Sequence, residues 1–460
     1  MFPLEPDAKE MRRLIDEAMR RIVPHIESLA KQPTSNVEGA TEFARTLIEP
    51  LPRSGQSYEK LLDALFNDYV PRSFNAAAPG YLAYIPGGGI FHSAVADLIA
   101  DAVNRYVGVF AAAPALAQIE ANVVRWMCEI VGYGRGSGGV LTTGGSLANF
   151  SAVVTARKEL LPDNFLRGTL YCSDQVHHSF QKSANLAGFP YENIREIPSD
   201  DRFCMRIEAL EEAIARDRAA GWTPFLVVGS SGTTNTGAVD DLDGIARVAR
   251  KEKMWFHVDG AYGAFFMLTE RGRTVMRGIE KADSVVLDPH KTLFLPYGTG
   301  GLIVRDAQAL RRAHSLTADY LPQMQKDEEL VDFCEISPEL SRDFRGLRVW
   351  LPLKMFGVDV FRQQLDEKLD LIEYVTEALR KIEGIEIVAE PQLTVVAFRH
   401  VKLDNRELLA RINARKRVMV TPTILGDRFV IRICIVSFRT HRDRIDMCLD
   451  DIRQSLAELT

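Results

Sequence analysis

The 460 residues are 46% hydrophobic and 26% charged, with a net charge of -6, a composition that suits a globular protein with a sizeable core and two or three domains. The acidic balance and the lack of a long basic run argue against nucleic acid as a partner. The longest apolar stretch, residues 107–116, is too short to span a membrane, and residues 1–31 are too charged for a secretory signal. Six scattered cysteines form no C-x-x-C pair and no metal-ligand spacing. The expectation is therefore a cytoplasmic enzyme with reduced thiols and no metal, acting on a small molecule.

In chain order, Met11, Leu14, Ile15, Ala18, Met19, Ile22 and Val23 recur at helical spacing and predict an amphipathic helix over residues 7–30. Its apolar stripe needs something to pack on. Residues 31–56 predict a connection with one short helix, and 58–69 a second amphipathic helix ahead of Pro71. The aromatic and glycine-rich segment 81–89 suits either a substrate-pocket wall or a turn with packed aromatics.

From Gly139 to Arg305 apolar runs alternate with helical ones. Strands are expected at 140–142, 169–172, 225–230, 254–258, 283–287 and 301–304, with helices at 147–160, 206–220 and 242–253. This pattern predicts a mostly parallel sheet covered by helices on both faces, with ligands bound beyond the carboxyl ends of the strands. Residues 346–380 read as helical. Strands at 385–388, 394–398 and 428–435, with helices at 405–412 and 442–459, predict a smaller C-terminal α/β domain. The expected division is 1–75, 76–355 and 356–460.

Polar residues gather at the predicted strand ends. The run at 283–287 is followed by Asp288, Pro289, His290 and Lys291, and the run at 254–258 by Asp259, Gly260, Ala261 and Tyr262. A lysine and an acid at neighbouring strand ends suit pyridoxal phosphate, the lysine forming a Schiff base and the carboxylate keeping the pyridine nitrogen protonated. Gly144, Gly145 and Ser146 open a helix whose first N–H groups suit a phosphate, with Thr143 adding a hydroxyl. A glycine turn of this kind serves plain capping as well. His177 could stack on one face of a flat ring, with His178 beside it, and Ala261 is small enough to lie against the other.

These residues carry a resemblance. The segments 173–177 (Ser-Asp-Gln-Val-His), 232–234 (Gly-Thr-Thr), 257–262 (His-Val-Asp-Gly-Ala-Tyr), 288–291 (Asp-Pro-His-Lys) and 430–432 (Val-Ile-Arg) resemble the group II pyridoxal-phosphate amino-acid decarboxylases, which include aromatic-amino-acid, histidine and glutamate decarboxylases. The similarity runs from Tyr58 to the C-terminus. It implies the aspartate-aminotransferase type (fold type I) α/β fold with a seven-stranded, mostly parallel sheet, an N-terminal helical segment and an obligate homodimer with sites at the interface. It also implies Lys291 as Schiff-base lysine, Asp259 on the ring nitrogen, and His177 and Ala261 on the two ring faces. Gly145, Ser146 and His290 would surround the phosphate, with Thr234 and His257 in close support. The activity implied is decarboxylation of an L-amino acid, aromatic or bulky and uncharged, with Tyr84, Ile85, Pro86, Phe110 and Phe333 around the substrate.

Three departures stand out. Phe333 falls where the aromatic-amino-acid enzymes carry a proton-donating loop tyrosine, which opens the alternative of oxidative deamination to an aldehyde and leaves Tyr320 or His177 as donor. Asp288 replaces a common asparagine near the phosphate, and Thr292 replaces a residue that is usually apolar or aromatic. Transamination on the same fold is a further alternative.

Overall fold

The structure, a computed structural model, describes residues 4–315 and 330–460. The chain begins with α1 (Ala8–Ser28), α2 (Ala40–Thr46) and α3 (Tyr58–Ala64), the last running on through a π-helical turn at Leu65–Tyr69. Asp7 caps α1 by accepting from the Glu10 N–H at 2.8 Å. Helices α1 and α3 hold each other through Arg21 and Asp63 (2.7 Å) and the Tyr58 hydroxyl donating to the Leu14 carbonyl (3.2 Å). No residue of α1 is buried, and its stripe stays open, with Met11 50% and Ile15 42% exposed. Helices α4 (Phe91–Val103) and α5 (Pro114–Val131) follow.

All six expected strands of the central sheet form, and a seventh joins them. In chain order the elements are β1 (Gly138–Thr142), α6 (Gly145–Leu160), β2 (Gly168–Ser173), α7 (His178–Leu186), β3 (Ile194–Ile197), α8 (Ile207–Ala219), β4 (Thr223–Ser230), α9 (Leu242–Glu252), β5 (Trp255–Asp259), α10 (Glu270–Val275), β6 (Ser284–Leu287), the short turn α11 (Pro289–Thr292), β7 (Gly300–Val304) and α12 (Ala307–His314). The sheet order is β1-β7-β6-β5-β4-β2-β3. Pairing is parallel from β6 across to β3, while β7 runs antiparallel to both β6 and β1.

Alternate side chains of these strands feed two cores, as the two-residue period of a strand requires. Leu141, Tyr171, Val227, Phe256 and Val285 pack with residues of α5, α8 and α9. Val140, Leu170, Leu226, Val286 and Leu302 pack with residues of α6, α7 and α12. Burial on both faces explains why the inner strands read as near-continuous apolar runs, with His257 the polar residue inside β5.

Beyond the sheet, the expected long helix is broken at Gly357 (φ +73°) into α13 (Gly346–Phe356) and α14 (Val358–Arg380). The elements β8 (Ile385–Ala389), β9 (Val395–His400), α15 (Asn405–Ala414), β10 (Thr421–Leu425), β11 (Arg428–Cys434) and α16 (Arg442–Ala457) complete the chain. Their four strands form an antiparallel sheet of order β10-β11-β9-β8, packed on α14, α15 and α16. Segment 81–90 ties the two sheets together: the Leu82 N–H donates to the Met419 carbonyl (2.9 Å), and the Ile90 N–H to the Phe294 carbonyl (2.8 Å). Among the described residues no helix is long and apolar enough to cross a membrane.

Candidate active site

The carboxyl ends of β4, β5 and β6, together with the starts of α6 and α7, enclose a cavity of about 350 Å³. Lys291, Asp259, His177, Thr234, Ala261, His290, Gly145 and Ser146 all line it, so eight residues expected at the site from the sequence meet in one place. A larger groove of about 1160 Å³ lies elsewhere and includes neither lysine nor histidine in its lining.

Lys291 sits in α11, directly after β6. Its Nζ lies 3.1 Å from Asp288 Oδ2. Segment 81–89 presses on the back of this turn, since a Cβ on Gly87 would come 2.3 Å from the His290 carbonyl oxygen. His290 donates from Nδ1 to the Thr299 carbonyl at 2.6 Å, and burial lowers its proton affinity.

At the other end of the cavity Asp259 closes β5, the middle strand. Its Oδ1 accepts from the Ala261 N–H (3.2 Å) and its Oδ2 from Asn149 Nδ2 (3.0 Å). Asn149 is fully buried on α6 and serves as a hub. Its Nδ2 also donates to Ser179 Oγ (3.2 Å), and its Oδ1 accepts from His257 Nε2 (2.9 Å). Burial holds the pKa of His257 down, to about 4, so its ring is neutral at pH 7. With Nε2 donating, Nδ1 must accept, and Ser284 Oγ supplies that hydrogen at 2.7 Å while itself accepting from Trp255 Nε1 at 2.8 Å. Every polar atom of this chain has one direction to donate in, and the result is an aspartate held in one orientation.

The same hub sets His177. Its Nδ1 accepts from the Ser179 N–H (3.2 Å) and lies 2.7 Å from Ser179 Oγ, whose oxygen already accepts from Asn149. Burial lowers its proton affinity. A neutral ring with Nδ1 accepting keeps its proton on Nε2.

The phosphate-cradle residues form the start of α6, where first-turn N–H groups have no intrahelical acceptor. A Cβ on Gly145 would fall 2.9 Å from Asp288 Oδ2 and 3.2 Å from the Ala261 Cβ, so only glycine leaves this space open. Gly232 (φ +98°) is required for a similar reason, because a Cβ there would meet the Tyr262 ring at 2.6 Å. A lysine, an oriented carboxylate, the small Ala261 side chain in the lining and a helix start with an open cradle together fit pyridoxal phosphate.

Five residues expected around the substrate do not line this cavity. Tyr84 is 53% exposed and stacks on Tyr81 at 6.5 Å, and Ile85 is buried in one of the two cores of the large sheet. Pro86 and Phe110 are also absent from the lining. Phe333 is fully buried in a 3-10 turn among core residues, with the Arg342 guanidinium 4.9 Å from its ring centre. Tyr320 lies outside the described residues. Sequence reading missed Asn149, Ser179 and Ser284. For Asn149 a signal was available: it is a polar residue one turn after Gly145, on the helix face that carries Ala148, Ala152 and Ala156 into the core.

Comparison with known proteins agrees with this geometry. Residues 46–401 match the pyridoxal-dependent decarboxylase conserved domain. The chain is 33% identical over 466 residues to an aromatic-L-amino-acid decarboxylase of Bacillus atrophaeus, covering 99% of this chain and 97% of that one. It is 31% identical over 403 residues to an acidic amino acid decarboxylase of Xenopus tropicalis, covering 85% and 78%. The solved structure of Oryza sativa TDC with pyridoxal phosphate and tryptamine superimposes with a TM-score of 0.94 at 26% identity, over 100% of both chains. The chain therefore belongs to the pyridoxal-dependent decarboxylase family and is a pyridoxal-phosphate-dependent amino-acid decarboxylase of fold type I.

Proposed function

We propose that the enzyme decarboxylates an uncharged, aromatic L-amino acid to the amine and carbon dioxide. The observation that carries this reading is the cavity's charge: among the described residues lining it, Lys291 is the single lysine or arginine. A side-chain carboxylate on the substrate would find no second fixed cation there. The similarity to the Bacillus atrophaeus enzyme over nearly the whole chain supports the same substrate class.

In this reading Lys291 would hold the cofactor through its aldehyde carbon, Asp259 would face the ring nitrogen, and the α6 start with His290 would take the phosphate. The bound cofactor supplies an electron-withdrawing ring that accepts the electron pair released with carbon dioxide. Asp259, fixed by Asn149 and the Ala261 N–H, keeps a negative charge at one place. With the cofactor bound, His177, whose proton sits on Nε2, would stack on one ring face and Ala261 would lie against the other, with Thr234 in close support. Tyr320 or His177 would return the proton to the substrate carbon, and Lys291 would hold the cofactor again once the amine has left. Position and electrostatics supply most of the acceleration.

Three units make up the protein: residues 1–75, 76–355 and 356–460. The working unit is a cytoplasmic homodimer whose partner covers the exposed stripe of α1. The second reading, in which the product is an aldehyde, rests on the sequence resemblance alone, since Phe333 packs in the core and does not line the cavity.

The test is to supply pyridoxal phosphate and a panel of amino acids, scoring carbon dioxide, amine, aldehyde and peroxide. Carbon dioxide with equal amine from aromatic substrates is the expected result. Release only from glutamate or aspartate would refute the substrate class, and aldehyde with peroxide would establish the second reading.

A further inference from the structure

Asp288 is a carboxylate in an unusual position. It follows β6 directly and lines the cavity, 1% exposed, and its Oδ1 is buried without a hydrogen-bond partner. Its Oδ2 lies 3.1 Å from Lys291 Nζ and 3.7 Å from His290 Nε2. The carboxylate stands against the α6 start and the head of β7: a Cβ on Gly145 would be 2.9 Å from one oxygen, and a Cβ on Gly300 2.6 Å from the other. A phosphate seated at the α6 start therefore meets a buried negative charge as well as the helix N–H groups.

While Lys291 rests on Asp288 the two charges cancel. Resting on the cofactor geometry proposed above, the lysine nitrogen is then drawn to the aldehyde carbon and leaves the carboxylate facing the phosphate. The other titratable groups lining the cavity are His290 on the same turn, and Asp259, His177 and Tyr262 across it, while α6 and β7 contribute uncharged glycines beside the carboxylate. The Tyr262 hydroxyl is engaged with Thr394 (2.7 Å), and Asp259 adds a further negative charge. His290 has committed Nδ1 to the Thr299 carbonyl, so its Nε2 lone pair is the acceptor that faces Asp288.

We propose that one proton from solvent enters the Asp288–His290 pair when a phosphate seats at the α6 start, so that cofactor binding by this enzyme is coupled to proton uptake. The proton belongs to the pair and not to either residue alone. Binding then weakens as pH rises, because the bound state holds the extra proton.

The experiment titrates the cofactor-depleted enzyme with pyridoxal phosphate between pH 6 and pH 9, for the wild type and Asp288→Asn. The visible band reports the protonation of the lysine linkage at each pH, so that proton is counted separately. Ionisations of the free ligand are common to both proteins and cancel in the ratio of their dissociation constants. The wild-type to variant ratio should rise toward about tenfold per pH unit. Calorimetry in buffers of different ionisation heat should show about one more proton taken up per site by the wild type. The wild-type uptake, corrected for the free ligand, tests the idea even without the variant. A flat ratio and equal uptake, with the visible band lost in Lys291→Ala, would overturn the proton coupling alone. A band that persisted in Lys291→Ala would overturn the cofactor geometry and the proposal with it.

Discussion

Replacing Asn149 with alanine removes the one side chain that binds Asp259, His257 and Ser179 at once. The bond to Asp259 Oδ2 (3.0 Å) is charge-assisted and contributes roughly 1.5–3 kcal/mol, and those to His257 and Ser179 roughly 1 kcal/mol each. All four residues are buried, so the stability loss should be about 4 kcal/mol. The effect on turnover is separable. Asp259 keeps only the longer Ala261 N–H bond (3.2 Å) and can rotate, and losing the charge-assisted anchor should slow the reaction by roughly 10- to 100-fold. Carbon dioxide release at saturating cofactor measures turnover, and denaturant unfolding measures stability. Asn149→Leu, close in volume, separates the hydrogen bonds from the cavity left by alanine. If both variants lost stability but turned over within twofold of the wild type, Asn149 would be a packing residue and the orienting argument would fail.

Lys291→Ala should abolish turnover and the visible band of the bound cofactor; a retained band refutes the assignment. Gly145→Ala should raise the cofactor dissociation constant at least tenfold with little change in the circular dichroism spectrum, because the added Cβ fills the space beside Asp288 and Ala261; unchanged affinity would move the phosphate elsewhere. The pH dependence follows from His257, which burial holds below the ordinary histidine range of about 6.5, down to about 4. The unfolded chain binds that proton first, so stability falls as pH drops below about 6.5 and levels off near pH 4, a loss of roughly 3 kcal/mol. His257→Phe should lose about that much of the difference in unfolding free energy between pH 7 and pH 4, and an unaltered difference would contradict the neutral buried ring.

Much of the fold was legible because burial on both faces leaves a strong mark: the inner strands carry near-continuous apolar runs, β5 being interrupted by the buried His257. The two strands that escaped notice are edge strands. β3 has only Ile194 and Ile197 to announce it, and β10 carries Pro422, which a sheet edge tolerates and a central strand does not. The catalytic candidates were legible because they stand at strand ends, where a polar residue interrupts an apolar run. The supporting shell was not, because Asn149, Ser179 and Ser284 are brought to Asp259 and His177 from three separate elements and share no spacing. Phe333 marks the opposite limit. The resemblance gives its position along the chain but says nothing of depth, and it packs in the core while the neighbouring Asp332 accepts from the Phe110 N–H at 2.7 Å.

One helix governs both ends of the cavity. Gly145 and Asn149 are four residues apart on α6, about one turn and about 6 Å of rise, so they share a face. The first lies at the expected phosphate end and the second holds the carboxylate expected at the ring nitrogen. How far α6 stands from the sheet is set by direct backbone approach: a Cβ on Gly300 of β7 would come 2.5 Å from the Gly144 carbonyl carbon. Behind it Ala148, Ala152 and Ala156 keep the helix close along its length. A substitution that lifts α6 away from β7 must move the phosphate cradle and the Asp259 anchor together. Cofactor affinity and turnover should then fall in step, whereas changes at Ser284 or Trp255, which reach Asp259 only through His257, should lower turnover while leaving the phosphate end intact.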